Sequence, residues 1–311
     1  MHLNKNLLKL HLTVVIWGFT AILGVVITKT ALILVWYRML FAALALVAFM
    51  LFRKQKLDVS RKEIIKLLAV GVLVALHWFL FYDCIKIATA SVALICLSSV
   101  TLFTSILEPI INRRKFYPLD IITGLVIISG IVVIFKFESR YITGTIIGLG
   151  AALAASLFTI FNSKFARRSS AITISLVEMT GGFIAVTAYL ICTSALSVPV
   201  LHLSLPDFGY LMILSTVCTA MAYVMGVAVM QTLSPITVVL TTSLEPVYGI
   251  ILAYLFFGKK EQMSNGFYIG AVIILAAVLS YPLLKKAFFK PEIFEREINA
   301  EKELLMNKQE S

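Results

Sequence analysis

Three charged residues, Arg38, Glu178 and Glu245, stand inside otherwise apolar stretches. A charge at the centre of a membrane helix costs about 2.5–3.5 kcal/mol on insertion scales, so each needs a compensating role. Arg38 lies about seven residues, or about 10 Å at the α-helical rise, from one end of its apolar run. Glu178 lies at the mirror depth in a later run. Facing one cavity, the two would present a cation and an anion about 10 Å apart by the same rise. That spacing suits a zwitterion such as an amino acid, with Arg38 gripping the carboxylate in a bidentate fork. The alternatives are a structural charge pair, or an Arg38 that snorkels to the headgroups.

Glu245 falls near the middle of its run and is followed by Pro246, which removes the helical bond to the Thr242 carbonyl and makes a hinge there. Thr237, Thr241, Glu245 and Tyr248 are spaced by four and three, and so share one helix face. A carboxyl at this depth could exchange a proton or bind a cationic group. His77, beside Trp78 and one turn from Tyr82, is either a proton relay or a packing histidine. Trp17, Trp78, Tyr82, Tyr223 and Tyr248 are candidates to line a cavity and make cation–π contacts. Trp36 and Tyr37 read as anchors at the lipid interface. Asn162 and Gln231 are gate candidates, and Asp83 and Lys86, three apart, are expected to pair.

These residues must be carried by membrane helices. Of 311 residues, 60% are hydrophobic and 14% charged, with mean hydropathy +0.98. A soluble domain is about half apolar and about a quarter charged. The composition excludes a nucleic-acid-binding domain, a disordered scaffold and a secreted disulfide scaffold. The net charge of +11 sits in the gaps between apolar runs, where it orients a membrane protein. Cys84, Cys96, Cys192 and Cys218 all lie in apolar segments and show no CxxC or Cys/His clustering, so neither metal site nor disulfide framework is implied. No P-loop, HExxH or GxSxG motif is present, so ATP hydrolysis and intramembrane enzymology are not expected, and no cofactor is implied.

A spanning helix needs about 20 apolar residues. Ten are expected, over 10–28, 30–52, 66–85, 91–111, 120–136, 143–163, 171–194, 209–230, 235–257 and 264–284. The uncharged stretch 208–244 is divided at Pro235, since proline favours a helix's first turn. The first run lacks a clear cleavage site and reads as a retained helix rather than a signal peptide. With the N-terminus in the cytoplasm, inside segments hold 20 Lys and Arg and outside loops 6. By the positive-inside rule both termini are then cytoplasmic, with the protein in the inner (plasma) membrane. The segment 287–311 reads as a charged cytoplasmic tail.

The two halves echo each other. Thr89-Ala90-Ser91 and a run ending in Glu108-Pro109 parallel Thr232-Leu233-Ser234 and a run ending in Glu245-Pro246. Trp17-Gly18-Phe19-Thr20 likewise parallels Ser156-Leu157-Phe158-Thr159. Five helices is an odd number, so the second half enters the membrane from the opposite side. The expected fold is an all-α integral membrane protein of ten transmembrane helices, built as two inverted five-helix repeats over 1–137 and 138–286. Such repeats place a binding site near the midplane, at their interface. Gly144xxxGly148 and Gly266xxxGly270 are expected to pack helices within one monomer, with a dimer as the alternative.

The chain resembles the EamA family of the drug/metabolite transporter superfamily over residues 10–285. The resemblance rests on Trp17-Gly18, Trp36-Tyr37-Arg38, Ser98 to Pro109, Leu244-Glu245-Pro246-Val247-Tyr248-Gly249, and Phe257-Gly258-Lys259-Lys260-Glu261. It departs from the family where Lys259-Lys260 precede Glu261, because relatives commonly carry Glu directly after that glycine. The resemblance implies a central cavity, alternating access, and export or exchange of small metabolites, often amino acids. The expected function is secondary transport of a small polar metabolite. A nucleotide-sugar or organic-anion transporter, or a non-transporting membrane interaction or sensor protein, are the alternatives. The expected partners are a small-molecule substrate and the lipid bilayer, not nucleic acid, around a monomer.

Overall fold

The computed structural model describes residues 5–113, 116, 118–166, 168–197, 201–229 and 241–288. Every regular element among them is helical. In chain order these are α1 (Lys5–Val26), α2 (Ala31–Phe52), α3 (Arg61–Ile87), α4 (Ala90–Leu97), α5 (Val100–Asn112), α6 (Pro118–Phe137) and α7 (Ile142–Phe165). Then follow α8 (Ala171–Cys192), α9 (Leu205–Ser215), a π-helical turn (Thr216–Met221), α10 (Ala222–Val229), α11 (Glu245–Phe257) and α12 (Asn265–Phe288).

Helix starts follow from local chemistry. Ser60 accepts the Glu63 amide while the Glu63 carboxylate accepts the Ser60 amide, a capping box that opens α3. Thr89, Ser170 and Ser204 cap α4, α8 and α9 by accepting the amide three residues on. Among the described residues, eight helical stretches are long and apolar enough to cross a membrane, and Asn265–Tyr281 is a shorter apolar helix. These eight correspond to the first eight expected spans; the shorter helix falls in the tenth, and the ninth runs partly through residues outside those described. The missing boundary, including Pro235, lies outside the described residues, as do Gln231, Thr237 and the tail beyond 288.

Two spans are not continuous, contrary to expectation. The fourth breaks at Ser98–Ser99, between α4 and α5. The stretch Leu205–Val229 is interrupted by the π turn, in which Thr219 sends its hydroxyl back to the Leu214 carbonyl at 2.7 Å. A π turn inserts one residue into the helical ladder and turns the side chains that follow it, often at a functional site.

Large apolar side chains cover the outside: Phe52 is 85% exposed and Leu255 72%. In water this would be a liability; in lipid it is the expected exterior. The inside is packed through small residues. A Cβ on Gly71 of α3 would meet the Glu178 carbonyl of α8 at 2.2 Å, and one on Gly181 would meet the Leu68 carbonyl at 2.4 Å. The backbones of α3 and α8 therefore touch, as small residues allow in membranes. Gly148 closes on Cys84 and Cys96, and Gly270 on Ile134 and Gly130. Both expected glycine pairs thus serve contacts inside the chain. Trp36 and Tyr37 do the same: Trp36 donates to Thr187 at 2.8 Å and Tyr37 to the Leu201 carbonyl at 2.5 Å. Their polar ends are used inside the protein rather than at the headgroups.

Candidate functional site

Arg38 is 3% exposed and sits in a cage built by three helices. Its Nε donates to Thr219 on the π turn and its Nη1 to the Tyr82 hydroxyl on α3, both at 2.7 Å. Its guanidinium lies 3.6 Å from the centre of the Trp78 ring. Stacking on an aromatic face and two neutral acceptors disperse the charge without a carboxylate in contact. Two of its five N–H donors are engaged, which leaves both hydrogens of Nη2 and one of Nη1 for a ligand. Thr219 carries no signal in the sequence that would single it out; the π turn is what aims it.

The carboxyl group from the second matched segment that interacts electrostatically with Arg38 is Glu245. Glu245 opens α11, Pro246 occupies its first turn, and Leu244 turns back to the Thr241 carbonyl at 3.1 Å. The proline restarts the helix at the carboxylate, as its missing N–H requires. Glu245 and Tyr248 are half-buried, whereas Thr241 is buried. The helix is held against α1 by close backbone contact: a Cβ on Gly18 would meet the Gly249 backbone at 3.2 Å.

Glu178 belongs to a different hydrogen-bonded cluster from Arg38. Its side chain is fully buried. Its Oε2 accepts the Tyr223 hydroxyl at 2.7 Å and the Asn162 Nδ2 at 3.2 Å. Asn162 also donates to the Tyr223 oxygen at 2.9 Å, closing a triangle between α7, α8 and α10. The mirror depth read from sequence is compatible with this, because depth alone does not say which neighbour a side chain meets.

His77 is packed among its neighbours. It is 8% exposed, its Nδ1 lies 2.9 Å from the Ala151 carbonyl, and its ring packs beside Phe81 and Phe158. Trp17, half-buried, lies against Gly226 of α10. Lys86 does not turn to Asp83 as expected; it donates to the Ile27 carbonyl, near Asp207. No group of three or more His, Cys, Asp or Glu that could hold a metal occurs among the described residues.

One end of the bundle is tied by carboxylates from several loops. Asp207 accepts from Thr28, Glu261 from the amides of Ala90 and Ser91, and Glu138 from the amide of Ser264. Glu261 also takes the Ser91 hydroxyl at 2.7 Å. The 3₁₀ turn Gly258–Glu261 carries the carboxylate past Lys259 and Lys260 to that place, which gives a physical reading of the departure from the family pattern.

The model of the EamA-like transporter family matches residues 5–136 and again residues 142–281. No curated protein matches the chain. A solved structure described only as "Crystal structure of protein" is similar with a TM-score of 0.62 and 14% identity, over 90% of this chain and 98% of that one. At that identity the likeness concerns the fold. Two consecutive matches over nearly the whole of a multi-pass membrane chain make this protein a member of the EamA-like transporter family.

Proposed function

We propose that the protein is a secondary transporter that exports or exchanges small polar metabolites, with amino acids as the leading class. It would work by alternating access of two inverted repeats, 1–137 and 138–286, with both termini in the cytoplasm of an inner (plasma) membrane. The observation that carries this reading is the relation between Arg38 and Glu245. A caged cation from the first repeat interacts electrostatically with a half-buried carboxyl group from the second, where a helix restarts.

A zwitterion fits between such groups better than a simple ion. Its ammonium would replace Arg38 as the neighbour of Glu245, and its carboxylate would take the remaining guanidinium N–H groups. Broken helices near the midplane are the usual way for membrane transporters to expose backbone groups to a substrate. The break at Ser98–Ser99 in the first repeat and the restart at Glu245 in the second supply one in each half. The aromatic residues Trp17, Trp78, Tyr82, Tyr223 and Tyr248 would line the path, and Pro246 would let α11 swing. His77 would support the path from the packed side. The carboxylate ties described above favour a state closed at the end bearing the α1–α2 loop.

The test compares metabolites released by cells expressing wild type with those from cells holding equal membrane amounts of Glu245→Gln. Wild type should release a small set of polar compounds, and the variant should lose it. Equal release from both would remove Glu245 from the site, and no change in any metabolite would overturn the transport reading.

A further inference from the structure

Five buried side-chain atoms among the described residues have no hydrogen-bond partner, and two of them are Glu178 Oε1 and Asn162 Oδ1. These two side chains are already joined through their other atoms, Nδ2 to Oε2 at 3.2 Å. Leaving one buried acceptor unsatisfied is costly, and leaving two in one side-chain pair calls for a missing donor.

Because both orphan atoms are acceptors, no rearrangement of the existing hydrogens satisfies them. Nδ2 has used both its hydrogens, on Glu178 and on Tyr223, and the Tyr223 hydroxyl is committed to Oε2. One added hydrogen does satisfy them. A carboxylic acid and a primary amide pair through two parallel bonds, amide N–H to one acid oxygen and acid O–H to the amide oxygen. The first of these bonds is present, and the second would join the two orphans. We propose that Glu178 binds a proton on Oε1 in this conformation, donating it to Asn162 Oδ1, and that this pair is the transporter's proton-coupling site.

The surroundings agree. Glu178 is fully buried, and no cation lies within ion-pair distance of it among the described residues. An unpaired buried carboxylate would carry a prohibitive desolvation cost. The groups facing it from the helices packed on α8 are Tyr223 from α10 and Asn162 from α7. From α3 it meets the backbone at Gly71, and His77 on that helix is turned to Ala151 instead. From α2, Arg38 is committed to Thr219, Tyr82 and the field of Glu245.

Release would need water. When α7, α8 and α10 part, the Oε1–H bond breaks, the proton passes to an entering water molecule, and the carboxylate left behind is solvated. In the opposite half-cycle the proton returns from water and the acid–amide pair reseals. The coupling role rests on the transport reading; the bound proton does not.

Infrared spectroscopy of the purified full-length protein tests the proton directly. At neutral pH the wild type should show the carbonyl stretch of an undissociated carboxylic acid, displaced when glutamate is labelled with carboxyl-13C and absent from Glu178→Gln. Gln is isosteric and can donate to Asn162 as the acid does, so this variant should fold. Asn162→Leu removes the acceptor and should shift the band; Glu245 could also give an acid band, but that one would not respond to position 162. If the wild type and Glu178→Gln spectra do not differ in this region, or if Asn162→Leu leaves the band unmoved, the site is overturned. A pH gradient should then alter export by wild type and leave Glu178→Gln indifferent. A present band with pH-indifferent export would remove the coupling role alone, and a present band with no export at all would remove the transport reading alone.

Discussion

Asp207 accepts two hydrogen bonds from Thr28, one from its amide at 2.8 Å and one from its hydroxyl at 2.5 Å. The same arrangement recurs between Asp58 and Ser170, amide at 2.7 Å and hydroxyl at 3.2 Å. Asp207 lies in the first turn of α9 and Asp58 just before α3, and each reaches the turn after the first helix of the other matched segment. Helices alternate in direction, so the two ties lie at opposite ends of the bundle. One of them at a time would have to open in alternating access. Asp207→Asn leaves only one acceptor oxygen for the two donors, a loss of about 1–3 kcal/mol for a buried charged acceptor. Hydrogen exchange should accelerate at the end of α1 and the start of α9, and not around Ser170. Asp58→Asn should give the converse pattern. Identical exchange in both variants would show that the ties do not hold the ends.

Glu138 gives a pH dependence that can be signed. Burial pushes its carboxyl up, but the hydrogen bonds from Ser264 and the ion pair with Arg140, at 3.1 Å, outweigh it and hold the group below its ordinary value. A carboxyl depressed by folding contributes stability above its unfolded value, and that contribution is lost as pH falls through the lower folded value. The wild type should therefore lose thermal stability on acidification more steeply than Glu138→Gln, which has no proton to take up. Parallel decline of the two melting temperatures would show that the tie to Ser264 carries no such linkage.

Much of this was legible in the sequence, for reasons that can be named. Apolar length and the positions of Lys and Arg reveal membrane helices, because a helix bonds every backbone polar group within one apolar run, whereas a barrel strand would be shorter and alternate. Glu245-Pro246 reveals a restart, because proline lacks the N–H that a continuous helix needs. Arg38 and Glu178 were visible as misplaced charges, but not their partners. Partners depend on which faces α2, α3 and α8 turn to each other, and the low polarity of all faces hides that rotation. Thr219 was invisible, since only the π turn aims it at Arg38. Trp36 and Tyr37 misled for a related reason: their position near a helix end is that of a lipid anchor, while their hydrogen bonds run inward.

The cage around Arg38 predicts a difference between two conservative changes. Arg38→Lys keeps the charge but cannot bond Thr219 and Tyr82 at once through a planar fork, and it loses the flat contact on Trp78. Thr219→Val keeps the shape and removes one acceptor, at about 1–3 kcal/mol for a buried charged donor left unpaired. Both proteins should reach the membrane. Export should be abolished by Arg38→Lys and reduced by Thr219→Val, measured on the compounds released by wild type. Full export by Arg38→Lys would reduce Arg38 to a point charge.

The crossing of α3 and α8 is the place where packing and the Glu178 cluster depend on the same atoms. Gly71→Ala would drive a methyl to within 2.2 Å of the Glu178 carbonyl, a backbone atom that cannot swing aside as a side chain can. The helices must separate, and overpacking of this kind costs about 1–3 kcal/mol or more. Gly209→Ala is the counterpart, since nothing lies within 4 Å of an added Cβ there and the residue is helical and exposed. Alanine should raise stability by about 1 kcal/mol at that position. Melting temperatures in detergent should therefore move in opposite directions for the two substitutions. Separation at Gly71 also carries Glu178 away from Asn162 on α7, so the acid band should shift or disappear in Gly71→Ala and persist in Gly209→Ala. A Gly71→Ala protein as stable as wild type would mean that α3 and α8 do not touch at this glycine, and the burial that seals Glu178 would need another cause.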